Sequence, residues 1–561
     1  MKLLLTKELK PFQFQKLTWF TFDDLDPDMV LPPVFGLIRT AGIRHQANKQ
    51  LREDKSQITP TDYIKMLARD ERVSGFDGDF GEEMLYAWVY STIAKVGSLG
   101  KKRKTEGVQF LHPIHMGMYS ACLPSQPQEK RDADLAVYGA LTGFLHSVGQ
   151  TNPTGLIRDA FTLALGQGVN YGTPQDSFRP RVIDNELDIN TLLGLYFAEL
   201  FELRPLEAGA REARTAERIN SQHLVQKSIE QLGRELYGYT VAYSGRLPVS
   251  MISSGLVAQI SLGLFRNYLQ LAHSLNALQE GKRGDEALCS PAELEIFCDL
   301  TGEIGSDSDE LARDCTNRDL SVTPRLFRDV QFVKILALIA VNSFDDLALE
   351  NKTPQSMCEF LLDQVKGTPE VNLMARQLIR EIKKINTEGD SATCDVETFD
   401  ALIAHLDDPL EKLVTIACQR GPGSGASTFI KWFRTTGGLT KNYGILKGNL
   451  RGKRNWRYSM SDELLSVLVQ QSFIIHNQND PLSFELSERI SLDSLLKFLE
   501  NNYGILINRP PAGRNETTDH KSAANNLDAL KKRLQQMGYF EALSDDFAAQ
   551  YLRNPYHEVR S

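Results

Sequence analysis

Along most of the chain, apolar residues recur at steps of three and four. From Val257 onward Ile260, Leu264, Tyr268, Leu271, Leu275 and Leu278 line one face of a long helix, and Gly281 sits where it can end it. Thr191 to Leu203 is apolar on most sides, which predicts a deeply buried helix. Met374, Leu378, Ile382 and Ile385 stack on one side of a further helix through Arg376 to Lys384. Alternating patterns are scarce and give three short strands: Tyr239 to Tyr243, Gln109 to Leu111 and Ile505 to Ile507. Toward the end of the chain, Ser459-Met460-Ser461-Asp462 has the spacing of a helix start, followed by Leu464, Leu465, Leu468 and Val469. Ser491 opens a second helix with Leu492, Leu495, Leu496 and Leu499, which Gly504 closes in a left-handed position. A third runs from about Asn526 through Leu527, Leu530, Leu534 and Met537 to Gly538. Helix, helix, strand is the order of a winged helix. The expected fold is therefore mainly α and multidomain, with a C-terminal winged-helix-like region carrying a few short strands.

Punctuation divides the chain. Pro124 to Gln128 places two prolines among polar residues and reads as a linker; Gly100 to Gly107 and Gly281 to Asp285 read as charged turns, and Asn508 to Asn526 as a flexible loop. The expected parts are a mixed N-terminal domain at 1–123, a helical central region at 128–420 and a basic, winged-helix-like domain at 429–561. Ser253-Ser254-Gly255 reads as a helix cap. The 561 residues allow three to four domains.

Composition narrows the class. Hydrophobic residues at 42% and charged residues at 24% are ordinary for a globular protein and exclude wholesale disorder, a collagen repeat or a disulfide miniprotein. Seven widely spaced cysteines contain no CxxC pair, which argues against a zinc ribbon, a redox motif or a disulfide framework. Reduced thiols in the cytoplasm are expected. The apolar stretch after Lys2 is too short for a signal peptide. The longest internal apolar runs, Met84 to Tyr90 and Ile335 to Val341, fall far short of the roughly 20 residues of a membrane span, so no membrane partner is expected.

Charge is distributed unevenly. Phe429 to Ser461 holds Lys431, Arg434, Lys441, Lys447, Arg451, Lys453, Arg454 and Arg457 and no acid, a charge of +8 in 33 residues of a chain whose formal charge is −9. Aromatic residues are interleaved, among them Trp432, Trp456 and Tyr458. Cations that replace the condensed counterions of a phosphate backbone drive nucleic-acid binding, and aromatic rings stack on exposed bases. On this reading Lys447, Arg451, Lys453, Arg454 and Arg457 contact phosphates, Trp456 or Tyr458 stacks or wedges, and Lys431, Arg434 and Lys441 complete the surface. DNA is the expected partner. Two blander readings stay open: the stretch docks against acidic segments of this chain or of a partner subunit, or it is simply solvated.

Other candidate chemistry is weak. Gly421 to Thr428 invites a phosphate-binding loop, but Ala426 stands where the lysine belongs and a helix end precedes it. Asp363, Glu381 and Lys383 follow the order of a metal-dependent nuclease, yet Glu381 and Lys383 fall on a predicted helix that turns them apart by about 200°. His112 and His115 have no third ligand at a telling spacing, and Asp77, Asp79, Glu82 and Glu83 do not fit a calcium loop. Lys101 to Lys104 form a second, smaller basic cluster. No catalytic residue, metal or cofactor is expected.

The residues Arg457 to Leu465 (RYSMSDELL), Phe498 to Ile507 (FLENNYGILI), Met537 to Phe540 (MGYF) and Leu543 to Asp546 (LSDD) resemble accessory proteins of multi-gene bacterial anti-phage defence systems such as Druantia and BREX-like systems. The resemblance covers the C-terminal third. It implies a non-enzymatic subunit working beside other subunits encoded in the same locus. The function expected is a nucleic-acid-binding, non-catalytic accessory subunit of such a complex, with a protein-binding scaffold or a metal-dependent nuclease as the alternatives.

Overall fold

The computed structural model describes residues 3–6, 9, 17–18, 20–43, 58–76, 78–99, 105–121, 132–170, 181–182, 187–200, 223–343, 352–388, 392–419, 425–477, 480–541 and 550–558. The Lys101 to Lys104 cluster, the Pro124 to Gln128 linker, Asp77 and Gly421 to Ser424 lie outside the described residues.

Helices dominate. They are α1 (Leu31–Arg39), α2 (Pro60–Ala68), α3 (Gly81–Trp88), α4 (Ala133–Ser147), α5 (Pro153–Leu165), α6 (Ile189–Glu199), α7 (Gln226–Tyr243) and α8 (Val249–Gln279). Then come α9 (Asp307–Ser321), α10 (Thr323–Ser343), α11 (Pro354–Phe360), α12 (Pro369–Thr387), α13 (Val396–Ile403), α14 (Pro409–Cys418) and α15 (Ala426–Thr436). The last three are α16 (Asp462–Ser472), α17 (Leu492–Tyr503) and α18 (Thr517–Gln536). Strands are short. The hairpins are β1 (Ala94–Leu99) with β2 (Thr105–Leu111), β3 (Val169–Asn170) with β4 (Arg181–Val182), β6 (Leu446–Lys447) with β7 (Arg457–Tyr458), and β8 (Ile474–His476) with β9 (Phe484–Leu486). β5 (Ile296–Phe297) runs parallel to β11 (Ile505–Leu506). β10 (Arg489–Ser491), β13 (Tyr551–Arg553) and β12 (Phe540–Glu541) form an antiparallel sheet in that order.

The 31-residue α8 is the centre, with α7, α10, α15 and α16 packed around it. By length and composition it is long and apolar enough to cross a membrane, and 78% of its most apolar window is buried inside the protein. Two of its buried polar residues tie it to other elements: the Arg266 guanidinium donates to Glu235 at 2.9 Å and to the Asn502 carbonyl at 3.0 Å, and the Ser261 hydroxyl donates to the Thr436 carbonyl. A helix so placed fixes its neighbours by hydrogen bonds as well as by apolar contact. Gly281 ends it at φ +92, as its position predicts.

Several expectations change. Tyr239 to Tyr243 is the last turn of α7, not a strand; Tyr239 and Tyr243 share one helical face four residues apart, and both hydroxyls donate to Gln470. Ser253 to Gly255 lies inside α8 rather than at its cap, and Gly255 is there because a Cβ would meet the Tyr239 hydroxyl at 2.5 Å. The last long helix starts at Thr517 instead of near Asn526, because Asn526, a residue type common in turns, is buried and ties β5 and β11 to α18 through the Cys298 and Ile507 carbonyls and the Leu300 amide. Ile505 and Leu506 form the expected strand, but pair with β5 from the middle of the chain. Gly504 holds the left-handed position at φ +68. Buried apolar residues form one connected cluster from Leu3 to Leu552.

Candidate nucleic-acid interface

The basic stretch divides into a half that is tied down and a half that is free. It begins on α15, where Phe429, Trp432, Phe433 and Thr436 face the core at helical spacing. The N-terminal segment around residues 20–28 is fastened onto this helix by rings. Phe22 lies 4.8 Å from Phe429 and 5.2 Å from Trp432, and Phe20 lies 5.3 Å from Trp432. That docking delivers four aspartates to the cations. Lys431 pairs with Asp23 at 3.3 Å, Arg434 with Asp24 at 2.9 Å, and the Lys441 ammonium bridges Asp26 and Asp28 at 2.6 Å each. The Tyr443 hydroxyl donates to Asp28 at 2.8 Å, and Lys95 approaches Asp26 at 3.4 Å.

The titrations follow from this arrangement. Burial pushes the Asp26 carboxyl up, but the charge and hydrogen bond of Lys441 and the charge of Lys95 hold it below the usual range. Burial lowers the Lys441 ammonium, and the charges of Asp28 and Asp26 more than reverse it. Burial, then the Asp28 charge, pushes the Tyr443 hydroxyl up.

A fourth cation is also consumed. The Arg457 Nε sits 2.7 Å from the fully buried Asp309 on α9. The two rings expected to stack on bases belong to the core. Trp456 is 1% exposed, stacks on Phe433 and donates its indole N–H to the Asn449 carbonyl at 2.7 Å. Tyr458 is wholly buried and donates to Asp319 at 2.7 Å; its hydroxyl is pushed up by burial and by that carboxylate. Neither ring is open to a base. The docking of basic stretch onto the chain's own acids, one of the blander readings, accounts for Lys431, Arg434, Lys441 and Arg457.

Lys447, Arg451, Lys453 and Arg454 are different. All four are exposed on the β6–β7 hairpin and pair with no carboxylate among the described residues. The turn depends on Gly448 at φ +143, where a Cβ would lie 2.8 Å from the Asn455 carbonyl oxygen. β7 packs on α9, and α9 also packs on α18, so the hairpin and α18 share a support. Between them lies an open cleft of about 890 Å³ that takes Lys447 from the hairpin and Lys532, Arg533 and Gln536 from α18. Arg533 is held by Asp462 at 2.8 Å and by the Met460 carbonyl. The outer face of α18 presents Lys521, Asn525, Asp528, Lys532, Gln535 and Gln536 to solvent.

The α18 face was missed in the sequence, although Lys521, Asn525 and Lys532 follow helical spacing, because the start of the helix read as a loop. The other candidates do not assemble. Asp363 pairs with Arg283 and Lys383 with Asp400, so the nuclease order is not a site. His115 is buried between the Gln167 carbonyl and the Gly117 amide. Among the described residues no group of three or more His, Cys, Asp or Glu is placed to hold a metal ion. The six described cysteines are free thiols.

Residues 7–556 match the family of methylation-associated defense system protein MAD7, and the chain belongs to that family. Neither a curated protein nor a solved structure matches the chain. The match spans nearly the whole sequence rather than the C-terminal third, and it names a methylation-associated system where the resemblance pointed to Druantia or BREX-like ones.

Proposed function

We propose that this member of the family serves its methylation-associated defense system as a DNA-binding, non-catalytic accessory subunit, with α18 in a groove of the duplex and the β6–β7 hairpin on its phosphates. The carrying observation is the set of free cations, Lys447, Arg451, Lys453 and Arg454, beside a cleft that Lys447 and Lys532 line together. Topology supports the same reading. The order α16, β10, α17, β11, α18, β12, β13, with the last strand in the middle of the β10–β13–β12 sheet and β11 paired outside it with β5, supports a winged-helix reading in which α18 takes the place of the recognition helix. The β8–β9 hairpin is inserted between α16 and β10. On α18, lysine, asparagine and glutamine are residue types that read phosphates and base edges.

The test is fluorescence anisotropy with duplex DNA over a salt series. Five phosphate contacts, four from the hairpin and one from Lys532, give a log–log salt slope of about −4 to −5. Reversing Lys447, Arg451, Lys453 and Arg454 to Glu is expected to abolish binding in a folded protein. Wild-type affinity in that variant overturns the assignment.

A protein-binding scaffold is the second reading. It is favoured by Phe80, Met84 and Ile189, which are 69%, 64% and 62% exposed, on or beside α3 and α6. It predicts that a subunit from the same locus stays bound after nuclease treatment and is released by Met84→Lys.

A further inference from the structure

The cleft beside α18 does not end at Lys441. Behind it lies a second chamber of about 550 Å³, bounded by the first turns of α8, by α16 and by the Thr440 to Tyr443 loop. The two spaces share Lys441, Asn442 and Glu463. Both volumes fall in the range of roughly 300–1,000 Å³ typical of small-molecule sites. Their chemistry differs. In the inner chamber the Lys441 ammonium is already bound by Asp26 and Asp28, which leaves the Glu463 carboxylate as the ionic group without a partner among the described residues. Ser250, Ser254 and Asn442 line the same chamber with hydroxyl and amide groups, and Tyr239 adds an aromatic wall. The outer cleft carries Lys447 and Lys532, neither in an ion pair among the described residues, with Asp462 and Glu463 also on its lining.

We infer that the two spaces form one site for a single nucleotide, its base in the inner chamber and its phosphate in the outer cleft between Lys447 and Lys532. The polarity follows from charge. A phosphate inside would face Asp28 and Glu463 with only the already paired Lys441 to balance them, whereas the outer cleft, which Asp462 and Glu463 also line, adds Lys447 and Lys532 and holds Asp462 against Arg533. A base inside meets Glu463, an acceptor that suits an exocyclic amine. Adenine, cytosine and guanine carry one; thymine and uracil do not. The nucleotide can be free or borne on a strand, as the end of a chain or as a base swung out of a duplex. The strand-borne form rests on the DNA-binding reading above; the free form does not.

The full-length protein is titrated calorimetrically with AMP, CMP, GMP and UMP. The three amino-bearing nucleotides are expected to bind about tenfold more tightly than UMP, as one hydrogen bond to a charged group allows. Glu463→Ala is expected to remove that preference, and Lys447→Ala with Lys532→Ala to weaken all four alike. Ser254→Trp fills the chamber and abolishes binding with the circular dichroism unchanged; Ser250→Trp, at the exposed rim, serves the same purpose if the first variant does not fold. In parallel, an oligonucleotide carrying 2-aminopurine is followed by fluorescence and by anisotropy. A fluorescence change that Ser254→Trp removes while anisotropy still reports binding identifies a strand-borne nucleotide. Calorimetric binding without that change identifies a free one. Absence of both overturns the site, and persistence of the anisotropy signal then leaves the DNA-binding reading intact.

Discussion

Arg457→Ala and Arg454→Ala are expected to fail in opposite ways, although the two residues lie three positions apart in the same basic stretch. Arg457 is 15% exposed at its side chain and its Nε lies 2.7 Å from Asp309, which is wholly buried. Removing one partner of a buried pair costs about 3–5 kcal/mol, because the other charge is left without compensation. Asp309 keeps Arg313 and the Gly305 amide at 3.0 Å, so the lower end, about 3 kcal/mol, applies. Unfolding entropy of about 2 cal/mol/K per residue gives ~1.2 kcal/mol/K for a chain of this length that melts as one unit. The melting midpoint of Arg457→Ala should then fall by about 2–3 °C, with the salt dependence of DNA binding unchanged. Arg454 is exposed and forms no ion pair among the described residues, so its loss should move the midpoint by less than about 0.5 °C. If it touches a phosphate, the salt slope should become less negative by about 0.9. Differential scanning calorimetry and anisotropy on the same preparations decide the matter. A loss of DNA affinity in Arg457→Ala with no drop in midpoint would refute the division into paired and free cations.

Other consequences can be measured separately. Asp26 has a folded pKa below the ordinary 3.8, so its stabilisation is present above that value and is lost as pH falls through the lower, folded one; in Asp26→Asn the midpoint should lose that part of its acid dependence between about pH 5 and pH 2. Lys441 is raised above 10.5, so its contribution is intact at neutral pH and fades only as pH rises past its folded value; Lys441→Met should lower stability at pH 7 and leave the Asp26 and Asp28 carboxylates unpaired. Tyr458→Phe removes one hydrogen bond to Asp319, which retains Arg318 at 2.8 Å, and should cost about 1 kcal/mol in denaturant unfolding with DNA affinity unaltered. Gly504→Ala places a Cβ 2.2 Å from the Pro291 carbonyl oxygen at a positive φ, and hydrogen exchange should show β5 and β11 opening more readily.

Local rules carried the reading of the helices and their ends. Ser461 and Ser491 cap α16 and α17, and Gly504 and Gly281 stop their helices, because such signals act within a few residues. The basic stretch was legible as charge but not as surface. Trp456 and Tyr458 look like stacking residues by type, and only the position of Phe433 and Asp319 shows them to be core. Likewise Asp23, Asp24, Asp26 and Asp28 are plain in the sequence, yet no pattern says that they meet lysines and an arginine more than 400 residues later. Pairings of that range are set by the whole fold.

The clasp between the first thirty residues and α15 also sets an order of events during synthesis. Lys431 lies 408 residues beyond Asp23, so a ribosome adding roughly 5–20 residues per second needs about 20–80 s to deliver the partner. For that interval Phe20 and Phe22 have no Trp432 to cover them. Closure of the clasp therefore marks a late step, one that a chain cut short before residue 432 never reaches.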